Sequence, residues 1–302
     1  MRKILIMLSE WGFWGEELIG PLEVFDSKAY LSAFCTPTGK RPRALPPSMD
    51  PSYIDPPLGK SVTSPEMAAK VRAIDDASCT RLKTPISLAA LFPERPYWSG
   101  LTDDGKEPEE EIGSISVLRR WEDYYRKRDR AQKEMANVYD AVLLVGGSGP
   151  MIDMVNNYRV HDLILGFLEC GKPIAAECYG VACLAQARHY DLRKSIIWGK
   201  HVTGHAIEYD YRNNTGVLSR GTGDVLHDRG DNFVNFGPPF YTLEYILRDA
   251  VGPDGAFHGN VGKETSVIVD YPFITGRSTP DSYMTGEKLV ETLESGLKRF
   301  GW

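Results

Sequence analysis

The stretch of sequence that decides the fold is Pro173-Ile174-Ala175-Ala176-Glu177-Cys178-Tyr179-Gly180. A short apolar run ends here, a cysteine follows at once, and small residues then begin a helical segment. A strand that turns sharply into a helix presents the corner residue above the carboxyl edge of a parallel sheet. Small residues are needed there because the backbones of strand and helix pass close together. The stretch therefore predicts a buried strand, a corner occupied by Cys178, and a helix.

The same alternation extends to both sides of this stretch. Residues 3–8 are a short apolar run followed by a helical pattern over 15–29, and residues 140–145 form another apolar run that enters a glycine-rich turn. Such runs are typical of strands buried on both faces of a sheet. The alternation predicts an α/β fold, a doubly wound and mostly parallel sheet with helices on both faces. A final helix is predicted over 282–300.

Proline is unevenly distributed along the chain. Of 20 prolines, 12 lie between Pro37 and Pro108, and proline interrupts both helices and sheet ladders. No linker or repeat divides the chain, so we predict a single domain over residues 1–302 with an inserted region at about 37–136. We expect this region to cover the carboxyl edge of the sheet as a wall or lid.

The last part of the inserted region, residues 103–136, is rich in charge but has Leu118, Trp121 and Tyr125 at helical spacing. The spacing predicts an amphipathic helix that packs this stripe on the body of the protein. A charged surface helix is the alternative.

The composition excludes several classes of protein. The net charge of the 302 residues is 35 − 41 = −6, without a block of Lys or Arg, which argues against nucleic acid or a membrane surface as partner. Five cysteines without CxxC spacing argue against a disulfide framework or structural zinc, and we predict neither a metal nor a cofactor. The apolar run from Ile4 is too short for a signal peptide or a membrane span, so we predict a cytoplasmic protein.

Two physical effects favour a reactive thiol at Cys178. The N-terminus of the following helix stabilises a thiolate, and the free N–H groups there can hold a developing oxyanion. The alternative is an inert cysteine packed in the core, which is the state predicted for Cys170 and Cys183.

Two more segments point to the same crevice. The turn Gly146-Gly147-Ser148-Gly149 follows a neighbouring strand, so its N–H groups can form the other half of an oxyanion hole; simple turn chemistry is the alternative. Glu16 and Glu17 begin the helix after the first strand. A carboxylate that points inward beside a thiolate is expected to be protonated at neutral pH. Glutamates that merely suit the first turn of a helix are the alternative.

In their order and spacing these motifs resemble those of the ThiJ/PfpI superfamily, the class I glutamine amidotransferase-like group with a flavodoxin-like fold. The resemblance is nearest to the glyoxalase III-type heat-shock branch and covers most of the chain apart from about 80–135. It rests on the Glu-x-x-x-Pro of Glu17 and Pro21, the turn 146–149, the Cys178 corner, and the segments 199–204, 239–244 and 274–280.

The resemblance implies a role for each matching residue. Cys178 is the expected nucleophile and Glu17 the acid that hydrogen-bonds it, while amides of Gly147, Ser148 and Tyr179 hold the oxyanion. The branch also has an acid after its Thr-Gly strand, which falls on Asp210, with Glu208 as a nearby substitute.

Two histidines of the branch are missing here. Tyr179 stands where a histidine follows the nucleophile, and Ser148 where the glycine turn has one. His205 is a candidate replacement base; a surface or packed histidine is the alternative. His201 and His205 lie four residues apart, but a strand and its terminus do not place such a pair on one face as a helix does, so we predict no metal site there. Tyr179 either donates a hydrogen bond into the crevice or simply packs.

The aromatic residues Trp11 and Trp14 follow the first strand and are expected to line a pocket for a substrate larger than methylglyoxal. Packing beneath the inserted region is the alternative.

The residues around Cys178 predict a cysteine-dependent enzyme, and the resemblance implies that it is of the lyase (hydro-lyase) or hydrolase type. Cys178 would form a covalent thio-adduct with a carbonyl-like or isocyanide-like carbon of a small electrophilic molecule, in a specialised metabolic pathway. The alternatives are a glyoxalase III-like or deglycase-like stress protein, and a holdase chaperone or redox sensor that uses Cys178. A homodimer is implied by the resemblance alone.

Overall fold

The structure is a computed structural model, and it describes residues 1–55, 58–96, 115–209, 242–260 and 262–302. The strands are β1 (Lys3–Met7), β2 (Leu31–Thr36), β3 (Ile54–Asp55), β4 (Lys60–Ser61), β5 (Ile86–Ser87), β6 (Ala141–Leu144), β7 (Ile174–Glu177), β8 (His201–Val202), β9 (Ala256–Phe257), β10 (Val267–Asp270), β11 (Phe273–Gly276) and β12 (Arg299–Phe300). The helices are α1 (Gly15–Ser27), α2 (Pro65–Asp75), α3 (Leu88–Leu91), α4 (Ile115–Val138), α5 (Pro150–Asp153), α6 (Tyr158–Glu169), α7 (Ala182–Gln186), α8 (Leu243–Val251) and α9 (Ser282–Ser295).

The central sheet is mostly parallel. Its strands lie in the order β12-β10-β11-β7-β6-β1-β2-β5, and each neighbouring pair from β11 to β5 is parallel. At the other end, β10 and β12 run antiparallel to their neighbours. The predicted doubly wound α/β fold is confirmed, with an antiparallel edge added to it.

Strand β1 shows why both faces of the sheet carry helices. Ile4 and Ile6 belong to one apolar cluster, which they share with α1, α2 and α9. Leu5 and Met7 belong to a second cluster, which they share with α6, α7 and α8. Because side chains alternate along a strand, one short apolar run supplies both clusters.

The direction of the chain through the sheet reverses between β1 and β6. From β1 the chain proceeds outward through β2 and β5, and from β6 it proceeds the other way through β7 and β11. The crevice of a doubly wound sheet opens at this switch point, beyond the carboxyl ends of the strands. Helix α1 follows β1, the glycine turn follows β6 and Cys178 follows β7, so the three predicted segments meet there.

Helix α4 packs with a different face from the predicted one. Leu118 is 54% exposed and Tyr125 is 46% exposed, whereas Tyr124 and Met135 are buried. The rotation of the helix is fixed by α6, because the Tyr124 hydroxyl donates to the buried carboxylate of Asp162 at 2.6 Å. The predicted stripe is wrong, and α4 covers α6 rather than the crevice.

Two further predictions are corrected at chain turns. The last helix ends at Ser295 because Gly296 adopts a left-handed φ of 70°, and Arg299–Phe300 then pairs antiparallel with β10. Cys170 is exposed rather than packed in the core because it caps the C-terminus of α6, while Cys183 is buried as predicted.

Across the described ranges, no helix combines the length and apolar character that crossing a membrane requires.

Candidate active site

The candidate nucleophile lies at a strained corner. Cys178 begins a 3-10 turn between β7 and α7, and its φ of 53° lies in the left-handed region that non-glycine residues rarely adopt. Such strain costs about 1–3 kcal/mol and persists only where the surroundings over-determine the backbone. The side chain is nearly buried, with 5% of the residue exposed. The strand–corner–helix arrangement that the sequence predicts is present at this residue.

The structure brings His205 into contact with the cysteine sulfur. Nδ1 of His205 lies 3.4 Å from Sγ of Cys178, which is within the reach that proton transfer between a thiol and an imidazole requires. His205 follows β8, a short strand that pairs with β9 outside the central sheet. The histidine therefore reaches the crevice from an element that the sheet topology alone does not place.

Backbone amides surround the sulfur. The N–H groups of Gly147 and Tyr179 donate hydrogen bonds to the Cys178 side chain and lower the pKa of its thiol. Burial and the neighbouring Glu17 act more strongly in the opposite direction, so this pKa lies well above its usual value. The resting form at neutral pH is then the thiol, not the thiolate that the helix N-terminus alone favours, because the cost of burying a charge exceeds the gain from the amides.

The glycine turn after β6 permits the close approach of these groups. A Cβ on Gly146 would lie 2.4 Å from Oε2 of Glu17 and 2.6 Å from Cβ of Cys178. Gly147 has a φ of 92°, which favours glycine. Ser148 is buried and lines the crevice. The turn therefore does more than reverse the chain, since its shape leaves the space that the thiol and Glu17 occupy.

Glu17 points inward, as one of the two sequence hypotheses requires. It is 1% exposed and forms hydrogen bonds with the Cys178 side chain and the backbone of Gly146. Burial raises the pKa of Glu17 to about 8, so at neutral pH its carboxyl group is protonated and can donate a hydrogen bond. Glu16 is only partly buried, and burial raises its pKa to about 7.

Two more buried carboxyl groups lie behind Glu17. Glu177 accepts a hydrogen bond from Oγ of Ser282 at 2.8 Å, and burial together with Glu17 raises its pKa well above the usual value. Burial also raises the pKa of Asp281 to about 6. The sequence analysis did not single out Glu177, although an acid at the buried end of an apolar strand is the signal that marks it.

His205 packs against two aromatic rings. Its ring stacks on Tyr179 with centroids 4.3 Å apart and planes at 25°, and the centroid of the Tyr209 ring lies 5.7 Å away with its plane tilted by 49°. Tyr179 is buried and lines the crevice. Tyr179 therefore packs on the imidazole of His205, which agrees with the packing alternative for this residue.

The crevice is a cavity of about 840 Å³ that includes Cys178, Glu17 and His205 in its lining. Trp14 lines it, as expected, whereas Trp11 is 40% exposed and does not contribute to the lining. One wall comes from the proline-rich part of the inserted region, with residues between 45 and 64, and the opposite wall comes from 262–264 and 278–280. A cavity of this size suits a ligand larger than a three-carbon dicarbonyl.

The acid proposed at Asp210 lies outside the described residues. Among the described ones, Asp55 and Glu208 line the cavity. Burial raises the pKa of Asp55, and the charge of His205 partly lowers it. The two side chains therefore lie within electrostatic reach of each other. Asp55 is held by the N–H of Leu58, which donates to its Oδ1 at 3.0 Å. Sequence reasoning missed Asp55 because the proline-rich segment has no periodicity that places its side chains.

A buried arginine shapes the opposite wall. Arg277 is 1% exposed and donates to the backbone oxygens of four residues, at distances of 2.8–3.3 Å: Gly259, Asn260, Lys263 and Glu264. Its guanidinium group also faces the ring of Tyr209 at 5.4 Å. Arg277 therefore fixes the loop that closes the cavity opposite the proline-rich wall.

The described side chains contain no group of three or more His, Cys, Asp or Glu residues arranged to hold a metal ion. His201 and His258 bond to each other, with Nδ1 and Nε2 2.8 Å apart. The groups that the structure brings to the Cys178 thiol are an imidazole, a protonated carboxyl group and backbone amides.

The fold of this chain is similar to that of proteins of solved structure, among them the following two. A Rapid Encystment Protein of 24 kDa from Francisella tularensis is 18% identical, with 97% of this chain and 99% of that chain covered and a TM-score of 0.60. Glyoxalase III from Candida albicans is 15% identical, with coverage of 97% and 98% and a TM-score of 0.59. Identities this low show a shared fold. No curated protein matches the chain significantly.

The family is established by the sequence. A family model described as ThiJ/PfpI family-like matches residues 8–199. This range begins at the end of β1, includes Glu17, the glycine turn and Cys178, and ends just before β8. Since the match spans well over half of the chain, this protein belongs to the ThiJ/PfpI-like family.

Proposed function

We propose that this protein is an enzyme whose Cys178 thiol adds to an electrophilic, carbonyl-like carbon of a small molecule. The observation that carries the proposal is the 3.4 Å contact between Sγ of Cys178 and Nδ1 of His205. A thiol whose pKa is raised by burial needs a base before it can attack, and His205 is the imidazole in contact with it.

In the first step the thiol proton moves from Sγ to Nδ1 of His205. The sulfur then forms a bond to the substrate carbon, and the π electrons of the carbon–oxygen bond move to the oxygen. The amides of Gly147 and Tyr179, which already donate to the sulfur, are positioned for this developing charge, as is the turn at Ser148. The proton on His205 then returns to the oxygen and gives a hemithioacetal.

Glu17 acts as a hydrogen-bond donor throughout this step. Its raised pKa of about 8 keeps a proton on the carboxyl group at neutral pH. That proton stabilises the thiolate while the imidazole holds the thiol proton, and no second negative charge is introduced beside the sulfur.

The reaction type that we favour is of the lyase class. With a 2-oxoaldehyde, a base removes the proton from the hemithioacetal carbon while the neighbouring ketone oxygen gains one, which gives an enediol. A proton is then added to the adjacent carbon and the hydroxyl on the sulfur-bearing carbon loses its proton, which produces a thioester. Water then cleaves the thioester to a 2-hydroxy carboxylate and the free thiol. The fold shared with glyoxalase III from Candida albicans supports testing this chemistry first. An isocyanide-type carbon would instead give a thioimidate that water converts to a formamide.

Asp55 is proposed as the positioning residue for His205. It lines the same cavity, and its carboxylate lies within electrostatic reach of the imidazole. A carboxylate beside an imidazole stabilises the imidazolium that forms when the thiol proton is transferred. Because Asp55 belongs to the proline-rich wall, we expect the activity of His205 as a base to depend on the order of that wall.

The experiment is a turnover assay with methylglyoxal, phenylglyoxal and an aryl isocyanide, together with intact-mass detection of an adduct. We expect turnover and an adduct for at least one electrophile, with loss of both in Cys178→Ser. Cys183→Ser is the matched control because Cys183 is also buried but does not line the cavity. Full turnover by Cys178→Ser would contradict the proposal. Oxidation of Cys178 by peroxide without any adduct would favour a redox sensor instead.

A further inference from the structure

A second cavity, of about 250 Å³, lies at the far end of α7 from Cys178. It shares no lining residue with the first cavity. Five of its lining side chains are basic: Arg95, His161, Arg188, His189 and Arg193. We propose that this cavity binds a small phosphate-bearing anion.

The charge of the lining is only partly compensated. Arg95 is paired with the buried Asp162, but no Asp or Glu is among the lining residues in the described part of the chain. The side chains of Arg188 and Arg193 have no hydrogen bond or ion pair with another described residue. Guanidinium groups that converge on one concavity repel each other, and an anion between them removes this cost.

One of the arginines is fixed in place by a buried network. Nε of Arg95 donates to the Tyr124 hydroxyl at 3.3 Å, and its guanidinium lies 3.5 Å from Oδ1 of the buried Asp162. The same group stacks over the ring of Tyr158 at 4.8 Å. This arginine is therefore ordered before any ligand arrives, which reduces the entropy lost on binding.

The other two arginines lie on a closed turn. The backbone N–H of Arg193 donates to the oxygen of His189 at 2.8 Å, and His189 N–H donates to Lys194 O at 2.9 Å. Arg188 at the start of the turn forms an antiparallel backbone bridge with Ser195 at its end. The turn therefore holds both arginines close together in the chain, and both line the cavity with Arg95.

The remaining lining fits a small organic group. The ring of Tyr190 is packed beneath the guanidinium of Arg128, 4.4 Å from its centroid, and Gln132 donates to its hydroxyl at 3.2 Å. Leu165 provides an apolar surface next to it. A guanidinium pairs with phosphate through two parallel hydrogen bonds. Because 250 Å³ is below the size of most drug-like sites, the ligand class that fits is a small phosphate monoester or free phosphate.

The test is titration calorimetry of the full chain with inorganic phosphate and with phenyl phosphate. The two ligands distinguish a free phosphate from an ester, and tighter binding of the ester would support a ligand with an organic group on Tyr190. We expect Arg188→Gln with Arg193→Gln to weaken binding at least tenfold. The charge-matched control is Lys83→Gln with Lys133→Gln, two exposed lysines outside the cavity, which should leave binding unchanged.

Two further variants keep the result decisive. Arg188→Lys with Arg193→Lys retains the charge but loses the paired hydrogen bonds, so we expect an intermediate loss of affinity. Cys178→Ser should bind as the wild type does, because the first cavity is not involved. The proposal is overturned if the wild type binds neither ligand at millimolar concentration. Equal weakening by the arginine and lysine pairs, or loss of binding in Cys178→Ser, would overturn it as well.

Discussion

At the scale of single residues, the chemistry depends on the location of two protons. One is on the Cys178 thiol, whose pKa is raised by burial and by Glu17. The other is on Glu17, whose pKa burial raises to about 8. Both groups are neutral at pH 7, so the buried site avoids an unpaired charge until substrate arrives. Attack on the substrate then requires a base, and the structure brings His205 to the thiol.

Replacing the base should reduce catalysis more than binding. For His205→Gln we expect kcat to fall by about 100-fold or more, the usual range for loss of a general base, with KM nearly unchanged. Steady-state kinetics on the best electrophile measures both. His201→Gln is the control, since His201 bonds to His258 and does not line the cavity. Unchanged kcat in His205→Gln would rule out this residue as the base.

The titration of Glu17 predicts how kcat changes at alkaline pH. Its folded pKa of about 8 means that the carboxyl group loses its proton as the pH rises through 8, which removes a donor and adds a negative charge beside the sulfur. We therefore expect kcat to decline above pH 8 in the wild type. Glu17→Gln, whose amide donates at every pH, should lose this decline.

The matched control for Glu17 is its neighbour Glu16, which lies in the same first turn of α1 but makes no contact with the sulfur. Glu16→Gln should retain the alkaline decline. A profile that is the same in the wild type and in Glu17→Gln would show that another group titrates there.

At the scale of elements, sheet topology predicts which side chains lie at the strand ends, whereas the sequence predicts a proline-rich wall but not which of its side chains face the cavity. Cys178, Glu17 and Gly147 each follow a parallel strand, so sheet topology alone brings them to one edge. Asp55 lies on the hairpin β3–β4, where no periodic pattern places side chains, and Tyr209 lies beyond β8, outside the central sheet. The packed face of α4 was mispredicted because a buried hydrogen bond from Tyr124 outweighs the apolar stripe.

The hairpin wall should determine which substrates fit. Leu58 lines the cavity, whereas Ile54 on the same hairpin is 54% exposed and does not. We expect Leu58→Ala to raise kcat/KM for phenylglyoxal relative to methylglyoxal by about 10-fold, which corresponds to about 1.4 kcal/mol, near the lower end of the about 1–3 kcal/mol that such pocket changes are worth. Ile54→Ala should leave the ratio unchanged, and a ratio shifted equally by both variants would mean that the hairpin acts only through stability.

At the scale of the whole molecule, buried acids link stability to pH. Glu17, Glu177 and Asp281 all have folded pKa values above their usual range because of burial. Between the unfolded and folded pKa values these groups are ionised when unfolded but protonated when folded. Their contribution to stability is therefore fully present below about pH 4 and is lost as the pH rises toward 8.

Removing one of these titrations should stabilise the protein at alkaline pH. The amide of Glu177→Gln can still accept the hydrogen bond from Ser282 but cannot ionise. Because burial raises the folded pKa of Glu177 well above its usual value, we expect the free energy of unfolding to increase at pH 8 and to change less at pH 5. Urea unfolding at both pH values measures this. Glu66→Gln, whose side chain is 83% exposed, should change neither value, and a Glu177→Gln protein that is less stable at pH 8 would contradict the account.

The central claim is that a buried Cys178 thiol is activated by His205, and the rate of thio-adduct formation tests it most directly. Stopped-flow mixing with an electrophilic substrate, followed by intact-mass analysis, gives this rate across pH for the wild type and for His205→Gln. We predict that at pH 7 the variant forms the adduct at least 100-fold more slowly. When Glu17→Gln is added to His205→Gln to remove the titration of Glu17 near pH 8, the rate of the double variant should recover as the pH rises toward the raised pKa of the thiol, since hydroxide then replaces the base. Equal rates at pH 7, or a slow rate in the double variant that does not recover at high pH, would contradict this mechanism.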